Sequence, residues 1–415
     1  MSVIRPFRGL RPTEEHASKV ASPPYDVISS TEARELAKNN PVSFLHVNKP
    51  EIDLAEDTDP YDPKVYARGA ENLQKLIKEG VMVQDEQPHF YLYRQIMGEH
   101  RQLGLVACAS VQEYDNGLIK KHELTRIDKE DDRMNHIMHL NAQAGPVFLT
   151  YRSRPVITAF LERLAGEKPD YDFSSPDGIR HTFWVIRSRD AIRRIEEDFL
   201  EIPELYVADG HHRSAAAARV CAQRHKENPK HSGQEEYNFF LSVIFPHNEL
   251  QILGYNRVVS DLNGLSKEIF LEKISQKFLV RIYSDRHGYK PSVLHDFGMY
   301  LDGTWYRLSA IPGTWDDSST TARLDVSILS ENLLKPVLGI GDPRKDKRID
   351  YVGGIRGLGE LKDSVDSGKM AVAFSLFPTR IEDLLAIADA GEIMPPKSTW
   401  FEPKLRSGLV LHMLD

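Results

Sequence analysis

The sequence predicts a mixed α/β protein built from two or three packed units. Three observations carry that expectation: 415 residues at 41% hydrophobic content, an alternation of strand-like and helix-like segments through the middle of the chain, and short apolar runs throughout. At about 100 to 200 residues per domain, this length suits several cores rather than one. No segment reaches the roughly 18 uninterrupted apolar residues of a bilayer-spanning helix. The amino terminus, M-S-V-I-R-P-F-R-G-L, lacks a secretory hydrophobic region, so a cytoplasmic location without membrane contact is expected.

In chain order, S-P-P-Y-D-V-I-S is turn-forming, and T-E-A-R-E-L-A-K-N-N reads as a helix from Thr31, although Arg34 stands where a capping box wants Glu or Gln. Val65, Leu73, Leu76 and Ile77 give a helical stripe over 64–78 that stops at Gly80. P-H-F-Y-L-Y-R-Q and L-G-L-V-A-C-A-S-V read as paired strands turning at Gly98. These elements define a mixed unit over 1–150. A second unit, over 151–261, alternates the strand T-F-W-V-I, the helix D-A-I-R-R-I-E-E-D-F, the strand E-L-Y-V-A, the helix S-A-A-A-A-R-V-C-A-Q-R and the strand N-F-F-L-S-V-I-F. A third, over 262–415, opens with the helix L-S-K-E-I-F-L-E-K-I-S and holds short strands such as T-W-Y-R-L and M-A-V-A-F-S-L-F. Its tail is too polar and too rich in proline for a closing helix.

The net charge of −8 disfavours nonspecific nucleic-acid binding and favours small-molecule partners; a homo-oligomer is admitted. Cys108 and Cys221 are the only cysteines, which excludes a disulfide scaffold and a cysteine-built zinc site.

The sharpest constellation is E-L-Y-V-A-D-G-H-H-R-S-A-A-A-A, in which a strand runs through Asp209 and Gly210 into an alanine-rich helix starting near His211. The unbonded amides of a helix start and its dipole favour a phosphate there. Gly210 permits close approach, His211 or His212 can donate to a phosphate oxygen or move a proton, and Arg213 adds a fixed positive fork. A cation in the first turn opposes the dipole, so something negative should offset Arg213. The plainer alternative has Asp209 capping the helix and the histidines packing locally.

Three further segments carry candidate chemistry. K-H-E-L-T-R offers Glu123 as a general base and His122 as a second proton carrier. The dense charges from Asp128 to Arg133 suit either Mg²⁺ and phosphate or a solvated helix face. In S-P-P-Y-D, two prolines fix the direction of Asp26, or simply make a rigid turn. In the tail, Lys397, Ser398, Thr399, Lys404 and Arg406 place hydroxyls and cations beside Trp400 and Phe401, a mixture suited to phosphate and adenine, or to docking of the aromatics on a core. The glycines between 339 and 359 do not form G-x-G-x-x-G, and P-loop, nucleophile-elbow and H-E-x-x-H patterns are absent.

D-G-H-H-R within 183–259 resembles the phosphate-binding signature of the ParB and sulfiredoxin superfamily, which includes free-serine kinases. Over nearly its full length the chain resembles a widespread prokaryotic family, domain of unknown function 1015. That resemblance rests on A-S-P-P-Y-D-V-I-S, K-H-E-L-T-R, A-D-G-H-H-R and M-P-P-K-S-T-W-F-E-P-K. The superfamily resemblance implies a ParB/sulfiredoxin-like nucleotide-binding core within additional α/β units. It further implies ATP or ADP with Mg²⁺ as cofactors, and phosphoryl transfer to a metabolite hydroxyl such as that of serine. On this reading Glu123, Asp209, His211 and His212 serve catalysis, while Gly210, His211, His212, Arg213, Lys397, Ser398, Thr399 and Lys404 hold the nucleotide. A nucleotide-binding regulator without turnover is the alternative, and a metal-dependent hydrolase stands third.

Overall fold

Nine strands rich in β-branched and aromatic residues form one mixed sheet in the computed structural model, which describes residues 2–415. Eight of them follow the spatial order Ile119–Lys120, Leu205–Asp209, Val147–Tyr151, Phe239–Pro246, His100–Ser110, Phe90–Met97, Arg180–Ile186, Tyr171–Ser174, and Ile4–Arg5 pairs with His100–Ser110. Two neighbour pairs are parallel, Leu205–Asp209 with Ile119–Lys120 and Phe239–Pro246 with Val147–Tyr151; the others are antiparallel. One core cluster joins Leu105, Ala107, Leu149, Val207 and Ile244 from the strands to Phe160, Ile195, Phe199 and Ala217 from the helices. The mixed α/β class expected from the strand–helix rhythm is what the chain adopts.

The chain divides into two compact units, one running to Leu250 and completed by Pro403–Asp415, the other formed by Gln251–Glu402. This differs from the three units at 1–150, 151–261 and 262–415. The sheet runs across position 150, because Val147–Tyr151 finds its partners in Leu205–Asp209 and Phe239–Pro246. The second unit has its own antiparallel six-stranded sheet, ordered Phe278–Tyr283, Thr304–Ala310, Asp296–Leu301, Val372–Leu376, Tyr255–Val259, Ile349–Gly353. Val258, Tyr300, Trp305 and Leu361 close a core on it. Among the described residues, no helix is long and apolar enough to cross a membrane.

The helix expected from Thr31 begins one residue earlier. It spans Ser30–Ala37, and the capping box is Ser29 with Glu32: the Ser29 hydroxyl accepts from the Glu32 amide at 3.2 Å, while the Glu32 carboxylate accepts from the Ser29 amide at 2.7 Å. Arg34, the residue that argued against a box, instead donates to the backbone carbonyls of Glu51 and Leu54 at 2.9 and 3.1 Å. Replacing Ser29 by Ala should destabilise this helix by about 1 kcal/mol. Hydrogen exchange of its amides should accelerate accordingly, and unchanged protection would refute the box.

Candidate functional site

Leu205–Asp209 shifts register against Val147–Tyr151 between Val207 and Asp209, then the chain turns at Gly210 into the helix His211–Glu227. Gly210 takes φ 96° and ψ 29°, a left-handed conformation. The positive φ is what favours glycine here; a Cβ would meet Arg213 Cζ at 3.3 Å, a contact that asks only a slight shift of that side chain, and Val147 Cα at an ordinary 3.5 Å. The first intrahelical bonds run from the Arg213 and Ser214 amides to the Gly210 carbonyl at 2.9 and 3.0 Å. The amides of His211 and His212 lie ahead of them, at the positive end of the helix. Behind the turn, Ala216 packs with Ile137, Val220 and Tyr237, which is the use of the alanine run.

Charges alternate around this turn. Lys404 Nζ lies 2.8 Å from Asp209 Oδ2. Burial pushes the Asp209 carboxyl up, but Lys404 and Arg213 outweigh it and hold the group well below the usual carboxylate range. Arg213, only 10% exposed, donates to Asp26 at 3.3 Å and to the Pro146 carbonyl. Burial alone would lower its pKa; Asp26 and Asp209 more than compensate. The negative partner that Arg213 required is therefore Asp26 of the chain itself. The guanidinium borders a cavity of about 30 Å³ shared with Tyr25, Arg133, His136 and Gly145, a space on the scale of a water or so. The structure makes Arg213 a buried counter-charge behind the turn, unlike the ligand-facing fork expected from sequence.

Beside the turn, His122 and His211 are both buried, with ring centroids 4.4 Å apart at 87°. Burial pushes His122 down to about 4, against the opposing influence of Asp209. Burial, with His122 as neighbour, also drives His211 well below its ordinary value. Both rings are neutral near pH 7. The His122 amide approaches His211 Nε2 at 3.5 Å, and neither ring nitrogen of His122 has a well-formed hydrogen bond, although the Val207 backbone favours its charged form. Glu123, 38% exposed, brings Oε2 to 3.9 Å from His211 Nδ1. His212 Nε2 accepts from the Arg126 amide at 3.1 Å, which leaves Nδ1 to carry the ring proton.

His122, Glu123 and His211 each offer a ligand atom, all within 4.8 Å of one another. Two imidazoles and one carboxylate suit a borderline transition ion. They do not fit Mg²⁺ as a resident ion, since Mg²⁺ takes oxygen ligands and only Glu123 supplies them here.

The structure thus brings together Asp26, His122, Glu123, Asp209, Gly210, His211, His212, Arg213 and Lys404. Lys397, Ser398 and Thr399 belong to the second unit. There the Lys397 carbonyl accepts from Arg257 at 2.9 Å, and the buried Ser398 hydroxyl donates to the Pro395 carbonyl at 2.6 Å. The backbone at Lys397 and the hydroxyl of Ser398 serve that turn. Arg406 donates to Ser175 at 3.0 Å and pairs with Asp177. The 128–133 charges are largely structural: Asp128 pairs with Arg126, Glu130 and Asp131 with Arg219, and Asp132 with Arg133.

Fold and site together define a mixed α/β protein with a charge-lined strand–helix turn. The chain belongs to the family described as "Protein of unknown function (DUF1015)", whose model matches residues 4–327. Among solved structures, it is similar to a conserved hypothetical protein from Pyrococcus furiosus, at 12% identity and TM-score 0.34 over 74% of this chain and 95% of that one. It is also similar to a free serine kinase in complex with AMP, at 12% identity and TM-score 0.33 over 74% and 92%. SbnI with a C-terminal truncation from Staphylococcus aureus gives 11% identity and TM-score 0.30 over 73% and 85%. No curated protein matches the chain.

The buried histidines set a pH dependence. His122 takes a proton near 6.5 when unfolded but only near 4 when folded. Its contribution is complete above 6.5 and is lost as the pH falls through this window. His122→Leu should therefore lose less stability than the wild type over that window, with a difference of up to about 3 kcal/mol. Urea unfolding at a series of pH values measures it; parallel curves would contradict the burial of a neutral ring.

Proposed function

We propose that the first unit binds ATP or ADP by its phosphates at the Gly210 turn and transfers a phosphoryl group to a small-metabolite hydroxyl, with an amino acid such as serine among the acceptors. The carrying observation is the placement of the Glu123 carboxylate next to His211, at the helix start that Gly210 opens and Lys404 and Arg213 flank. In the proposed step the acceptor oxygen attacks the terminal phosphorus, the bond to the bridging oxygen breaks, and the hydroxyl proton passes to Glu123. The first-turn amides, the His212 Nδ1–H and Lys404 stabilise charge on the transferring and leaving oxygens. Asp209 is assigned to hold Lys404 in place, and Arg213 to hold Asp209. Lys397, Ser398 and Thr399 have no part in this set.

A second reading is a metal-dependent hydrolase, favoured by the two imidazoles and one carboxylate of His122, Glu123 and His211. Incubation with labelled ATP or ADP and a metabolite pool separates the two. Phosphorylated metabolite is the expected product, and Glu123→Gln should reduce it by about 100-fold or more while nucleotide binding persists. Phosphate release that depends on added zinc or manganese supports the hydrolase instead. Binding without turnover makes the unit a nucleotide-responsive regulator, and absence of binding by calorimetry overturns the nucleotide site.

A further inference from the structure

A second cavity, of about 230 Å³, lies wholly within the second unit. It exceeds the roughly 150 Å³ of an engineered cavity that admits benzene. Its lining mixes apolar side chains, among them Leu294, Leu324 and Phe377, with charges of both signs, Arg323 and Arg380 opposed to Asp317, Asp325 and Asp383. Asp383 is buried and occupied: it pairs with Arg323 at 2.8 Å and with Arg380 at 3.0 Å. Asp317 accepts from the Trp315 indole at 2.6 Å.

Two atoms of wall residues are left over from these pairings. Asp325 is only 6% exposed; its Oδ1 accepts from the His295 amide at 2.9 Å and meets His295 Nδ1 at 3.1 Å. Its Oδ2 is buried with no hydrogen-bond partner, and so is the Nε–H of Arg323. A buried polar atom left without a partner costs about 1–3 kcal/mol, and such atoms in a native site call for an explanation. Here an orphaned donor on a cation and an orphaned oxygen on a carboxyl group belong to two residues that line one cavity. His295 holds its side of the wall at φ 68°, a conformation that residues other than glycine seldom adopt, with its ring 4.4 Å from that of Trp315.

We propose that this cavity is a binding site for a small zwitterion of amino-acid type, its carboxylate meeting Arg323 and Arg380 and its ammonium meeting Asp325 and Asp317. Arg323 offers the planar fork that carboxylates match. Asp325 Oδ2 supplies the acceptor that an ammonium needs. Burial, with Asp296 and Asp383 nearby and the His295 amide opposing, pushes the Asp325 carboxyl up to about 7. A cationic guest would relieve that like-charge pressure by favouring the ionised form. The site is separate from the Gly210 turn and does not depend on the activity proposed there.

Calorimetry on the full chain without nucleotide tests the proposal, using L-alanine, L-leucine and L-glutamine as probes and propionate and ethylamine as half-charged controls. At least one amino acid should bind at millimolar concentration or tighter, with both controls at least about tenfold weaker. Asp325→Asn and Arg323→Met should each weaken that binding about tenfold or more, with folding verified by circular dichroism. Leu294→Trp, which fills the wall without touching an ion pair, should abolish it and serves where Arg323→Met fails to fold. No binding of any probe, controls that bind as well as the amino acids, or unchanged affinity in Asp325→Asn or Leu294→Trp would each overturn the assignment.

Discussion

The turn at Gly210 is held by a chain of alternating charges, Asp26 to Arg213 to Asp209 to Lys404. Taking any one of these groups out of water by itself costs several kcal/mol, and only its neighbours offset that. The chain explains features that look unrelated in sequence. Two prolines fix the loop that carries Asp26, a bulge re-aims Asp209 at the end of its strand, and a glycine admits the guanidinium beneath the backbone. The helix His211–Glu227 starts where this network of charges meets the end of the strand.

Much of the first unit was legible because its signals are local. Strand alternation and helical stripes recovered the segments around Phe90–Met97, Arg180–Ile186 and Leu205–Asp209 to within a few residues. The strand–glycine–helix junction and the candidacy of Glu123 and His122 also came from residues adjacent in the chain. What failed were pairings between distant residues. Asp26 and Arg213 lie 187 positions apart, and Lys404 and Asp209 lie 195 apart; no periodicity encodes either. The domain boundary near 150 failed for the same reason, since a strand's partners are set by burial across the sheet and not by proximity in the chain. In the tail, the mixture of hydroxyls, cations and aromatics was visible, but its division between two units was not. The zwitterion cavity left no sequence signal at all, because its walls come from four separated segments.

Around the cavity of the second unit the charged side chains are mostly paired, with Asp325 Oδ2 and Arg323 Nε left over. In the first unit the leftover atoms include the His122 ring nitrogens and Arg213 Nε, beside others spread through the fold such as the Tyr151 hydroxyl and Arg94 Nε. Native interiors satisfy nearly all their polar atoms, so each exception calls for its own local account, and only together with volume and charge does one point to a site.

The return of Pro403–Asp415 to the first unit has a consequence for biosynthesis. Lys404 is made 195 residues after Asp209, so a nascent chain that has already made its whole nine-stranded sheet still holds Asp209 without its ammonium partner. The turn reaches its final charge state only after translation has passed through the entire second unit, and a truncated product carries the helix start but never the finished electrostatic cradle.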